Sequence, residues 1–158
     1  MINSKFGLAS VLLVSVFSFL ITSCSSDSKS SENRVESSII PESWGDRPIT
    51  VTESPISLSS KNVVFNVWDS GQIDGDIITL VVNGRIVLDT YELTGSEFSV
   101  PVELDNLGYN YVLLYAHNEG SISPNTAALS MTDSDGNYQL LTLSADLLSN
   151  SACDLIVQ

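Results

Sequence analysis

Short runs of β-branched and aromatic residues, each closed by turn residues, constrain this chain most. In "NVVFNVW" (62–68), Val63, Phe65 and Val67 alternate on one face. "IITLVV" (77–82) runs into Asn83-Gly84, and "RIVLDTYEL" (85–93) follows. Asn-Gly between two such runs predicts a two-residue hairpin, because both central residues of a type I′ turn take positive φ. "EFSVPVEL" (97–104), "YNYVLLYAHN" (109–118), "NTAALSMT" (125–132), "YQLLTLS" (138–144) and "CDLIV" (153–157) continue the pattern, with a further strand near "ITVTE" or "ISLS". Helical periodicity is hard to find; "LSADLL" (143–148) is the one place where a helical turn competes with a strand. About eight or nine short strands at this spacing predict an all-β fold. It is an antiparallel β-sandwich, jelly-roll or immunoglobulin-like. Pro101 cannot donate to a ladder, so its strand belongs at an edge or a bulge.

Strand reversal makes a geometric prediction. In an antiparallel fold every second connection lies at the same end. Loop 69–76 then shares its end with loops 93–96, 117–125 and 144–152, while the "NG", "DNLG" and "DSDGN" turns lie at the other. Binding loops on a rigid β scaffold cluster in this way. A site is therefore expected where loops 69–76 and 117–125 meet.

The N-terminus is of a different kind. Lys5 precedes an apolar run (6–21), and small residues follow it. That order describes a secretory signal peptide, too short in its apolar part for a membrane span. "ITSC" (21–24) resembles the lipobox of bacterial lipoproteins. The resemblance implies cleavage before Cys24, acylation of that thiol and of the new amino terminus, and a membrane anchor of several acyl chains. Ser25 and Ser26 stand where an aspartate often retains such proteins at the inner membrane, so the resemblance implies the outer membrane of a bacterial cell envelope. The organisation is then a signal peptide (1–23), a lipidated serine-rich tether (24–48) and a β-sandwich domain (49–158). Ile39, Ile40 and Trp44 are placed to begin docking on that domain.

Charge and cysteine usage narrow the function. The chain holds 19 acidic and 6 basic side chains, a formal −13; loss of Lys5 with the signal leaves about −14. Such a surface repels phosphate backbones and excludes nucleic acid as a partner. The two cysteines are Cys24 and Cys153. With Cys24 lipidated, a disulfide within the chain is excluded and Cys153 reads as a packed core thiol.

The chemistry-bearing stretch is "DSGQIDGD" (69–76). Asp69, Asp74 and Asp76 offer three carboxylates in a glycine-bent loop, the donor type calcium takes. Asn118, Glu119 and Asn125 can add oxygens across the loop end. The spacing fails the EF-hand template, and Asp-Gly also fills ordinary turns. On sequence alone the turn outweighs the ion. "DSDGN" (133–137) reads as a hairpin turn. His117 is the only histidine, which leaves no histidine cluster for zinc, and no serine lies in a nucleophile elbow. Trp68 abuts the acidic loop on the face opposite Val63, Phe65 and Val67. It either stacks on a sugar or packs beneath a loop.

The central chain, through "WD", "DGD", "NG", "GYN", "AHNEG" and "PNTAAL" (63–131), is similar to β-sandwich modules of bacterial secreted and surface proteins. Those modules carry no established activity, so the resemblance implies fold and location. The expectation is a lipid-anchored, non-enzymatic envelope protein whose β-domain binds or scaffolds an envelope protein or glycan. The alternative is a calcium-dependent carbohydrate-binding module.

Overall fold

The computed structural model describes residues 37–51 and 54–158. Cys24, the signal peptide and most of the tether lie outside the described residues. Eleven strands form two sheets: β1 (Ser43–Trp44), β2 (Arg47–Val51), β3 (Ile56–Leu58), β4 (Asn62–Asp69), β5 (Ile77–Val82), β6 (Arg85–Glu92), β7 (Phe98–Glu103), β8 (Gly108–Ala116), β9 (Asn125–Asp133), β10 (Tyr138–Ala145) and β11 (Asn150–Val157). One sheet runs β1-β2-β11-β8-β5-β6, with β3 also on β11; the other runs β10-β9-β4-β7. All pairings are antiparallel except β2 and β3, which lie parallel to β11. The described residues contain no helix.

The alternation in sequence is the alternation in space. Val63, Phe65 and Val67 of β4 lie beside Ala127, Leu129 and Met131 of β9 and Leu141 and Leu143 of β10 on the inner face of the four-stranded sheet, in one core. Ile78, Leu80, Val82, Val112, Leu114, Ala116, Cys153 and Leu155 close that core from the larger sheet. Each fully buried Leu, Ile or Phe contributes roughly 1.5–3 kcal/mol. Cys153 is a fully buried member of this core. Pro101 sits on β7, the edge of the four-stranded sheet. Asn83 (φ 50°) and Gly84 (φ 82°) are both left-handed, as a type I′ hairpin requires.

Two details depart from the sequence reading. Strands number eleven, because β1, β2 and β3 are all present. The stretch 143–148 is not helical: β10 runs to Ala145, and Asp146 then caps a turn by accepting from the Leu148 and Ser149 amides. Residues 37–48, the end of the expected tether, pack on the domain. The Ser38 amide donates to the Tyr109 carbonyl. Ile40, Trp44 and Ile49 pack on the outer face of the larger sheet against Val81, Tyr111, Leu113 and Ala152. The β1–β2 hairpin turns at Gly45 and Asp46, both with positive φ, and a methyl at Gly45 would press within 2.9 Å of the Tyr115 ring. The Arg47 guanidinium covers that ring at 4.3 Å and donates to the carbonyls of Ala116 and Asp146.

The register places the connections as strand parity requires. Asp69 lies opposite Ala127, Ile77 opposite Glu92, Ile78 opposite Ala116, and Ala145 opposite Asn125. Loops 70–76, 93–97, 117–124 and 146–149 therefore share one end of the sandwich. Loops 59–61, 83–84, 104–107 and 134–137 share the other.

Candidate metal centre

Asp69 is the last residue of β4, and Asp76 is the residue before β5. Backbone bonds fix both ends of the loop: the Asp69 amide donates to the Thr94 carbonyl, and the Leu93 amide donates to the Asp76 carbonyl, each at 2.8 Å. Asn118 braces the middle. Its Nδ2 donates to the Gly75 carbonyl and its Oδ1 accepts from the Ile77 amide, both at 2.7 Å.

Within this frame each aspartate spends one oxygen on a backbone amide and leaves the other bare. Asp69 Oδ1 accepts from the Gly71 amide at 2.8 Å. Asp74 Oδ2 accepts from the amides of Ser121 and Ile122 at 2.8 and 2.7 Å. Asp76 Oδ2 accepts a long 3.4 Å bond from the Thr126 amide. Asp69 Oδ2, Asp74 Oδ1 and Asp76 Oδ1 are buried and have no hydrogen-bond partner among the described residues. Asp69 is only 6% exposed and Asp76 only 4%. All three side chains line one cavity of about 200 Å³, with Gly71, Gln72, Ile122, Ser123, Pro124 and Thr126. The Ser123–Pro124 peptide in its wall is cis.

One carboxylate oxygen from each aspartate lies within 4.8 Å of the others. Two oxygens on one calcium ion, each at about 2.4 Å, can be no more than about 4.8 Å apart. The triad is thus compact enough to share a single ion. Three negative charges this close raise each other's cost. Burial, then the neighbouring Asp74 and Asp69 carboxylates, pushes the Asp76 pKa from 3.8 up to about 6, against a lowering by the Thr126 amide.

The sequence-predicted residues fall into separate roles. Asp69, Asp74 and Asp76 converge. Asn118 has both amide atoms engaged in holding the loop. Glu119 Oε1 accepts from the Leu147 amide at 3.0 Å and ties loop 117–124 to loop 146–149. Asn125 is fully buried, with Nδ2 on the Ile77 carbonyl and Oδ1 unpartnered. Trp68 is half-buried on the outer face of the four-stranded sheet, away from the residues lining the cavity. His117 is a hydrogen-bonded loop histidine: its Nε2 lies 2.8 Å from Thr79 Oγ1, and its ring meets the edge of Tyr115.

Gly120 is the site residue that sequence reasoning missed. It is left-handed (φ 54°), and a methyl there would overlap the Asp74 carboxylate. The "EG" in "HNEG" was the available signal, since glycine is what lets the second loop close over the first.

Comparison with family models, with curated proteins and with solved structures gives no match for this chain.

Proposed function

We propose that this chain is a lipid-anchored, non-enzymatic domain of the bacterial cell envelope, and that the end formed by loops 70–76 and 117–124 binds calcium. The observation that carries the metal assignment is the set of three bare, buried oxygens on Asp69, Asp74 and Asp76. A buried carboxylate oxygen without a donor is costly, and native folds retain one where something outside the chain satisfies it. Calcium suits the all-oxygen donor set, with Gln72 and loop carbonyls at hand to raise the coordination number. The ion holds the two loops rigid so that the end of the sandwich can bind or scaffold an envelope partner.

The anchoring part of the proposal rests on the lipobox resemblance at 21–24. The non-enzymatic part rests on His117, the only histidine, whose Nε2 is engaged by the hydroxyl of the buried Thr79 and whose ring packs on Tyr115. A calcium-dependent carbohydrate-binding role is the second reading. It is favoured by Trp68, a partly exposed ring on the outer face of the four-stranded sheet that precedes Asp69 in β4.

Isothermal titration with calcium tests the metal assignment on the chain starting at Ser25. One site is expected, abolished in Asp74→Asn and Asp76→Asn. Heat-free injections into the wild-type chain refute it. Mass spectrometry of the membrane-extracted protein should find acyl chains on Cys24; an unmodified thiol there removes the anchor.

A further inference from the structure

Asn125 carries an amide that the core does not use. The residue is fully buried, and its Oδ1 has no hydrogen-bond partner among the described residues, like the bare oxygens of Asp69, Asp74 and Asp76. Its Nδ2 reaches the Ile77 carbonyl only at 3.4 Å, and that carbonyl already accepts from the His117 amide at 2.8 Å. An apolar side chain would fill the same place without an unmet oxygen, so the long bond alone does not account for a buried amide here. Turning the amide over would aim Oδ1 at the Ile77 carbonyl, which places the oxygen on the other side.

The register puts this amide among the aspartates. Asp69 continues the inward-facing row of Val63, Phe65 and Val67 on β4, and Asn125 begins the inward-facing row of Ala127, Leu129 and Met131 on β9. Asp69 lies opposite Ala127, so Asn125 is its diagonal neighbour on the same face. Diagonal neighbours stand roughly 7–8 Å apart, with their Cβ atoms somewhat closer, within reach of a shared ion. On its other flank Asn125 bonds Ile77, the residue after Asp76, and the next amide, that of Thr126, donates to Asp76 Oδ2. Pro124 and Thr126, on either side of Asn125 in the chain, both line the cavity.

From these positions we infer that Asn125 Oδ1 is a fourth protein ligand of the ion, beside Asp69, Asp74 and Asp76. The inference rests on the metal reading above. An amide oxygen is a calcium donor, and it raises the coordination number without adding a fourth negative charge to a crowded triad. It also enlarges what the ion does. Asp69 and Asn125 belong to β4 and β9 of the four-stranded sheet, while Asp76 leads into β5 of the larger one. One ion held by all of them fastens sheet to sheet at this end, in addition to joining the loops. Asn118 takes no such part, because both of its amide atoms are engaged in bracing loop 70–76.

Calcium titration of position-125 variants tests this. Both sheets and both apolar clusters lie within residues 37–158, so the chain starting at Ser25 keeps the folded body. In that chain Asn125→Leu should bind calcium at least about tenfold more weakly than wild type by isothermal titration. It should melt in EDTA at or above the wild-type temperature, because Ile77 keeps the His117 amide and no oxygen is left bare. Asn125→Asp, which restores an oxygen at that place, should bind calcium again. In a calcium-soaked crystal of the wild-type chain, Asn125 Oδ1 should lie about 2.3–2.6 Å from the ion. Wild-type affinity in Asn125→Leu, or a water standing between Oδ1 and the ion, overturns the inference and leaves the metal reading in place. If Asn125→Leu melts below wild type in EDTA, Asn125→Asp decides: binding there supports the ligand role, and loss in both variants overturns it. If the wild-type chain takes up no calcium, the metal reading fails first and the fourth ligand goes with it.

Discussion

The two ends of the sandwich use the same letters for opposite purposes. At one end Asp133 and Asp135 sit in "DSDGN"; at the other, Asp69, Asp74 and Asp76 sit in "DSGQIDGD". Asp133 is buried and saturated. It accepts from the Ser59 amide and hydroxyl at 2.9 Å, from the Asn137 amide at 2.9 Å and from the Asp135 amide at 3.1 Å, and Asn137 Nδ2 adds more. Those donors, the Ser59 amide foremost, hold its carboxyl well below the usual aspartate range. Asp76 is equally buried but has one long bond and two acidic neighbours, and its pKa rises to about 6. The number of donors aimed at a buried carboxylate decides whether its charge stabilises the fold or burdens it. The first end is complete in itself; the second has capacity left for a cation.

The sharpest way to break this contrast is to remove one aspartate from each end. Asp133→Ala strands the amides of Ser59, Asp135 and Asn137. It should lower the melting temperature by on the order of 10 °C, read by circular dichroism with or without calcium. Calcium should produce the next largest change. At a hundred times its Kd, a ligand that binds only the native state adds about 2.7 kcal/mol, so the wild-type melting temperature should rise by several degrees. The same addition should leave Asp76→Asn unmoved. Asp76→Asn in EDTA should itself be slightly more stable than wild type under EDTA at pH 7, since it removes a buried like charge. Asp133→Asn should be less stable in both media. A loss of stability for Asp76→Asn in EDTA would show that its carboxylate is already satisfied.

The pH dependence sharpens the same contrast and is the smallest effect. The native Asp76 binds its proton more tightly than the unfolded chain does. Between the ordinary value of 3.8 and about 6 the native state therefore holds the extra proton, and ion-free stability should fall as pH rises through that window. Asp133 works in the other direction: its contribution is present at neutral pH and is lost as pH falls below the ordinary aspartate value. In EDTA the stability maximum should lie near the lower edge of the Asp76 window. In calcium it should broaden toward pH 7, where ion binding offsets the repulsion. Urea melts across pH 3–8 would reveal both limbs.

How much of this was legible in the sequence follows from where the information is local. The alternation of Val63, Phe65 and Val67, the Asn83-Gly84 turn and Pro101 each report their own backbone, so strands, hairpin and edge could be read directly. Strand parity then placed loops 70–76 and 117–124 together without any contact being known. The docking of residues 37–48 was harder to read. Its anchors are Trp44 on Asn150, Arg47 on Asp146 and Ile40 on the outer face of the larger sheet, all pairs far apart in sequence, and the serine-rich stretch before them looks like tether. The difference between Asp133 and Asp76 was not legible at all. It depends on donors from Ser59, about seventy residues away, and on the lack of such donors at the other end.

One measurement bears most directly on the claim that the second end is built around an ion. A crystal of the chain starting at Ser25, grown with EDTA and then soaked in calcium, should gain a single strong density peak in the cavity, at about 2.3–2.6 Å from oxygens of Asp69, Asp74 and Asp76. The same cavity filled only by waters that donate to Asp69 Oδ2, Asp74 Oδ1 and Asp76 Oδ1 would contradict it.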